Sequence, residues 1–383
     1  MLRVAIIGVG GRGRAHLNTL MKLRNFFEVV ALCDVDPSRL SIARDLGVRA
    51  FTSVEKMLSS VKVDVALVAI HPEGHHIVTR VLAENGVHVL SETPIAYSLK
   101  CARDMIKVCE KYGVFLEVSE NVPRWPRERL KRKLVEEGVL GGLKGFYLSY
   151  TSGSYHGMAA IRSLLGLEAI KVRGEYPPPN SIFERGFIEF PNIKGVYELN
   201  ADKGNYWEIY GEKGVLKGGK LYLDKEVYEL EVEYSIVNGK RIVTGARVET
   251  KPPVVWENPY RGFMLESEDD VARADAWLSL YNAIEYGREL NYGAENALKD
   301  LELVFAVRES AMRSEEITLP LKGELVYEEL LHREYKKFYG FDPLEAPPEA
   351  LNKKYYIPEE LQMILYYGRL DAWKSSKYRP FYK

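Results

Sequence analysis

The sequence predicts an α/β chain: a parallel sheet with helices on both faces, then a second α+β domain built on a large, mostly antiparallel open sheet. Three observations predict it. Strand-length apolar runs and helical patterns alternate through the first third of the 383 residues, which gives parallel strands joined by helical crossovers. From residue 143 the texture changes to aromatic and β-branched stretches such as LKGFYLSYTS, SIFERGFIEF and EVYELEVEY. Turn pairs such as Pro191-Asn192 and Gly218-Gly219 divide this region, so it reads as antiparallel strands. A chain of this length also exceeds one ordinary core.

In the first domain the strand-like runs fall at residues 3–8, 29–34, 48–51, 63–70, 88–92 and 114–119, with helical patterns at 12–24, 37–46, 73–84 and 99–112. After the antiparallel stretch, helical patterns cover 267–288 and 294–313. The second of these places Leu298, Leu301, Val304, Phe305 and Val307 on or near one face. The expected division is 1–121, 122–321 and a C-terminal extension, 322–383. That extension carries Tyr335, Phe338, Tyr339, Tyr355, Tyr356, Tyr366, Tyr367 and Trp373, too many aromatics for a solvated segment. It is expected to pack as an arm on the second domain or on a neighbouring subunit.

Composition excludes several partner classes. A net charge of −1 and 28% charged residues give no reason to expect nucleic acid or an anionic membrane. No apolar run approaches the ~20 residues of a membrane span, and no signal peptide is expected at Met1. Cys33, Cys101 and Cys109 form no CxxC pair, which fits a reducing cytoplasm. A single glutamine, Gln362, among many Glu, Lys and Arg fits a thermophilic source.

The sharpest motif follows the first strand. Gly8-Val9-Gly10-Gly11-Arg12-Gly13 leads into a helix, the G-x-G-x-x-G arrangement of dinucleotide-binding (Rossmann) domains. Gly8 allows the tight turn, Gly10 lets backbone approach a pyrophosphate, and Gly13 lets helix and strand pack closely. Asp34 ends the second strand, where a carboxylate accepts from the ribose hydroxyls of NAD and repels the 2′-phosphate of NADP. NAD is therefore the expected cofactor, with Arg39 the one nearby residue that favours NADP. His71, His75 and His76 invite a metal reading, but Pro72 interrupts the spacing and no carboxylate or Cys completes a ligand set. No metal is expected, and His71 is placed near the cofactor instead.

Together, Gly8–Gly13, Asp34, the His71-Pro72…His75 turn, GVHVLSETP, EEGVLGGLKG and Glu309–Ala311 resemble the Gfo/Idh/MocA oxidoreductases over about residues 1–321. The resemblance implies a Rossmann domain, an α/β domain with an open sheet, a nicotinamide cofactor and a sugar or polyol substrate. It also implies homo-oligomers, dimers or tetramers, that pack through that sheet. Cofactor contacts carried over or read from the motif are Gly8, Gly10, Gly11, Arg12, Gly13, Asp34, His71, Glu92 and Asn121. The family pattern after the fifth strand is Glu-Lys-Pro, but here Thr93 stands at the Lys. Many members also carry an Asp four residues before a His that starts a helix; here His156 matches the His and Ser152 stands at the Asp. A cation and an anion are thus both absent, which keeps the cleft free of an unbalanced buried charge.

What remains can still move protons. His156 can take a proton from a carbinol as hydride leaves, Tyr155 beside it is a second candidate, and Thr93 offers a hydroxyl. Arg124, Trp125 and Ser152 are candidates for substrate contact; the indole suits a sugar face and the guanidinium an anionic group. Three readings follow. The first is an NAD-dependent dehydrogenase of a sugar or polyol hydroxyl. The second is an NAD-dependent glycoside hydrolase that oxidises transiently, which Glu120-Asn121-Val122 and His156-Gly157 also resemble. The third is a non-catalytic NAD-binding protein.

Overall fold

The computed structural model describes residues 1–178, 181–356 and 364–365. They fall into two compact units. The first takes Met1–Glu120, Ala272–Leu298 and a segment beginning at His332; the second takes Asn121–Val271 and Lys299–Leu331.

The first unit is built on six parallel strands: β1 (Leu2–Ile7), β2 (Phe27–Cys33), β3 (Arg49–Phe51), β4 (Val65–Val68), β5 (His88–Ser91) and β6 (Leu116–Val118). Their order is β3-β2-β1-β4-β5-β6. The order reverses between β1 and β4, so the crevice beyond their carboxyl ends is where such a sheet holds ligands. Helices α1 (Gly11–Lys22), α2 (Ile42–Leu46), α3 (Val54–Ser60), α4 (Pro72–Glu84) and α5 (Leu99–Tyr112) connect the strands. The strands are apolar almost throughout because both faces are covered: Val4, Ala5, Ile6, Val65, Ala66, Leu67, Val68 and Leu90 have no exposed surface.

Two local details differ from the sequence pattern. The run 37–46 divides into a 3-10 turn, Pro37–Leu40, and α2, because the Asp36 side chain caps the turn by accepting from the Ser38 N–H. Helix α3 forms where no helix was expected. Ser53 caps it by accepting from the Lys56 N–H, and only Val54 and Met57 are buried, too few for a periodic signal.

The second unit carries a nine-stranded sheet. Its strands are β7 (Leu143–Ser149), β8 (Lys171–Glu175), β9 (Ile182–Phe190), β10 (Ile193–Asn200), β11 (Tyr206–Gly211), β12 (Gly214–Lys217), β13 (Lys220–Leu223), β14 (Glu226–Glu229) and, later, Ile317–Thr318, which pairs with β8. All neighbours are antiparallel except β7 and β10. A separate ribbon holds β15 (Glu231–Val237), β16 (Lys240–Val248) and β17 (Val254–Glu257). Helices α6 (Pro126–Glu136) and α7 (Ser154–Leu165) belong to this unit; α8 (Glu268–Tyr286), α9 (Ala294–Arg313) and α10 (Val326–Tyr339) follow in the chain. Among the described residues no helix is long and apolar enough to cross a membrane.

The C-terminal extension divides between the two units. Its residues up to Leu331, and Ile364 and Leu365, whose carbonyls accept from Tyr327 and Arg308, lie in the second unit, and the residues from His332 to Tyr356 pack on the first. His332 hydrogen-bonds Ser98 at the start of α5, Asn352 reaches Glu55 and the Val54 N–H, and the Tyr335 hydroxyl donates to the Glu73 carbonyl. The reason is steric fit: the ring of Tyr355 lies against Gly74, in a gap on α4 that any larger side chain would fill. Tyr366, Tyr367 and Trp373 lie outside the described residues.

Candidate active site

The glycine turn is dictated by close approach. Gly8 has φ +92°, and a Cβ there would lie 2.3 Å from the Ala69 carbonyl oxygen. A Cβ on Gly13 would lie 1.9 Å from the Gly8 carbonyl oxygen, so neither position tolerates a side chain. Gly10 and Gly11 are different: Gly11 meets nothing within 4 Å, and Gly10 meets only the Arg39 guanidinium. Space is therefore open in front of the N-terminus of α1, where no side chain caps the first N–H groups. Open space, unsatisfied donors and the helix dipole fit a pyrophosphate.

Asp34 closes the other side of this cradle. It is buried, accepts from the Val9 N–H at 2.7 Å and the Asp36 N–H at 2.9 Å, and lies 3.6 Å from Arg39. These bonds fix the carboxylate and leave it acceptor capacity for ribose hydroxyls. His71 caps α4 beside the same turn, where desolvation and then the Arg39 charge hold its imidazole below the ordinary value.

Glu92 is spent within the fold. Its carboxylate lies 2.8 Å from His16 Nε2 and 2.9 Å from Arg12 Nε. Trp277 Nε1 donates to His16 Nδ1, so that nitrogen carries no proton and Nε2–H is the donor to Glu92. Burial keeps this imidazole neutral. Burial alone would raise the Glu92 carboxyl, but the His16 hydrogen bond and the Arg12 charge outweigh it and hold it at about 2. The arrangement ties α1 to the end of β5 and so sets the position of Thr93, whose N–H donates to Glu92. His75 is buried between the carbonyls of Ile70 and Pro94, and His76 pairs with Asp104. Among the described residues no cluster of His, Cys, Asp and Glu could hold a metal ion.

In the second unit Gly153, at φ +101°, turns the chain into α7; a Cβ there would strike the Tyr155 ring. That turn presents Tyr155 and His156 in the first helical turn, with ring centroids 4.4 Å apart. Tyr150 lies 5.9 Å from His156 and stacks on Trp207. Ser152 accepts from Asn205. The start of α7 is anchored from below: Ser154 bonds Tyr197, which bonds Glu184, which pairs with Arg308 at 3.0 Å, all buried. Asn121 and Trp125 both donate to Asp269, at 3.1 and 2.7 Å, and Arg124 is only 2% exposed.

Sequence reasoning missed a polar group on α6. Lys131 pairs with Glu128 at 2.6 Å, and Trp207 Nε1 donates to the other Glu128 oxygen. No signal could have found it, because Glu and Lys at i,i+3 read as a solvated helix face.

A six-stranded doubly wound sheet with this turn and this carboxylate has the form of a dinucleotide-binding domain. Residues 2–120 match the model of the Gfo/Idh/MocA family, an oxidoreductase family with an NAD-binding Rossmann fold. It is 32% identical over 139 residues to a D-apiose dehydrogenase of Paraburkholderia graminis, a match that covers 36% of this chain and 37% of that protein. It is 29% identical over 153 residues to a glycosyl hydrolase family 109 protein of Akkermansia muciniphila, covering 37% of this chain and 32% of that one. The chain thus spans about a third of the length of these relatives. The fold extends further: an oxidoreductase structure from Thermotoga maritima superposes with a TM-score of 0.65 over 83% of this chain and 98% of that one, at 22% identity.

Proposed function

We propose that the protein is an NAD-dependent dehydrogenase acting on a hydroxyl of a sugar or polyol. The observation that carries the reading is the cradle of the first unit: a glycine turn closed by sterics, an open helix N-terminus and a fixed carboxylate at the end of β2. The residues that would hold the cofactor are Gly10, Gly11, Asp34 and His71. Bound NAD supplies the hydride acceptor. His156 takes the proton of the reacting hydroxyl, and its ring, held beside Tyr155 and Tyr150, is positioned before substrate arrives. Tyr155 is a hydrogen-bond donor to the same substrate. Thr93 and Ser152 carry hydroxyls where the family pattern has a charge pair. The substrate class is supported by the D-apiose dehydrogenase likeness. The test is NADH formation over a panel of aldoses, ketoses, inositols and disaccharides; NAD binding without NADH formation on any of them would overturn it.

A second reading keeps NAD bound and redox-neutral, as a glycoside hydrolase. Thr93 and Ser152 favour it, and so does the likeness to the family 109 protein. Assembly is read as a homo-oligomer through the sheet face where Phe187 is 41% exposed. Sedimentation at the monomer mass would refute that assembly.

A further inference from the structure

The second unit contains a cavity of about 650 Å³ between α6, the start of β11, the β12–β13 turn and the β15–β16 hairpin. Sites of ~300–1,000 Å³ enclose drug-sized ligands, so this one has room for more than a single sugar ring. Trp125, Tyr206, Trp207 and Tyr234 give it aromatic walls, with the Lys131 ammonium on Trp207 and the Arg241 guanidinium on Tyr234. Its polar groups are part spent and part open. Glu128 is used up by Lys131 and Trp207, and Asp269 by Asn121 and Trp125. Lys131, 2% exposed, donates to Glu128 and sets its ammonium 4.6 Å from the Trp207 ring. Arg127 keeps 42% of its side chain exposed and meets Glu268 only at 3.8 Å, so its outer N–H groups face the cavity as open donors.

Charge decides what fits. The lining holds three cations, Arg127, Lys131 and Arg241, and four carboxylates, Glu128, Glu266, Glu268 and Asp269. An anion gains no net attraction there, and a purely apolar ligand would bury open donors without partners. A neutral ring with hydroxyls satisfies the donors through its oxygens and lays its C–H face on the aromatic walls.

Ring contacts link the wall of the cavity to His156 within the same unit. Trp207 lines it and stacks on Tyr150 at 5.9 Å, and Tyr150 lies 5.9 Å from His156. Asn205 lines it and donates to Ser152. The geometry points to a subsite for a second, neutral sugar ring, so that the substrate is a disaccharide or a glycoside with a sugar aglycone. This rests on the dehydrogenase reading for the identity of His156 as the reacting end, while the cavity itself does not.

The experiment is a tryptophan-fluorescence titration of the full chain with cellobiose, maltose and lactose against glucose and galactose, beside NADH formation with the same sugars. At least one disaccharide binds about tenfold or more tighter than its constituent monosaccharides. Arg127→Met removes about tenfold of that affinity and leaves NAD affinity unchanged. Tyr234→Ala, on the hairpin and away from the buried pair, acts in the same direction and guards against a folding defect in the first variant. Equal affinity for mono- and disaccharides, no binding of either, or unchanged affinity in Tyr234→Ala overturns the subsite. A disaccharide that binds without NADH formation leaves the subsite standing and sinks the dehydrogenase reading. Monosaccharides oxidised as efficiently as disaccharides do the reverse.

Discussion

At Asp34 two backbone N–H groups and one guanidinium converge on a single carboxylate. Removing it does two things to cofactor choice. A ribose hydroxyl loses its acceptor, and Arg39, left with Asp36 at 3.7 Å as its carboxylate partner, turns toward a 2′-phosphate that Asp34 no longer repels. Asp34→Ala therefore moves the NAD:NADP affinity ratio toward NADP by about tenfold or more, about 1.4 kcal/mol; an unchanged ratio in equilibrium titrations would refute the assignment. His156 is tested in the same plain way. Its substitution by Ala lowers turnover by ~10² or more, the scale of a lost general base, while NAD affinity stays within a factor of about two. Equal losses in both would mean that the residue holds structure rather than moving a proton. The glycine turn and Asp34 were legible in the sequence because their requirements are local: a fixed spacing, a positive φ and a strand end. Lys131 was not, because a buried ammonium and a solvated one look alike until the opposing Trp207 is in place.

Helix α4 and the C-terminal arm show the same limit at the scale of elements. That the arm must pack was readable from its tyrosines; where it packs was not, since Tyr335 and Glu73 are 262 positions apart. The contact leaves Glu73 1% exposed, with neither carboxylate oxygen hydrogen-bonded. Burial pushes this carboxyl up to about 8. The folded state thus holds a proton that the unfolded chain releases above its ordinary value near ~4.3. Stability from this group is full below that value, falls as pH rises, and is gone above about 8. Glu92 works in the opposite sense: its contribution is present at neutral pH and is lost as pH falls toward about 2. Glu73→Gln should therefore flatten the alkaline limb of the thermal-stability profile, where the wild-type slope approaches roughly 1.4 kcal/mol per pH unit. Superposable profiles between pH 5 and 8 would show that water or another group already satisfies the carboxylate.

For the whole molecule the open issue is whether oxidation is the net reaction or one stage of it. Both readings use bound NAD and a proton acceptor, so no single-site variant separates them. The fate of hydrogen decides. A dehydrogenase gives one NADH per substrate oxidised, and its mechanism requires no exchange at the neighbouring carbon. A glycosidase working through transient oxidation makes the adjacent C–H acidic and exchanges it with solvent, then returns the hydride to the oxidised carbon. In deuterated water the dehydrogenase favoured here yields stoichiometric NADH and an oxidised sugar. A hydrolysed product bearing deuterium beside the once-oxidised carbon, with no accumulation of NADH, would reverse the order of the two readings.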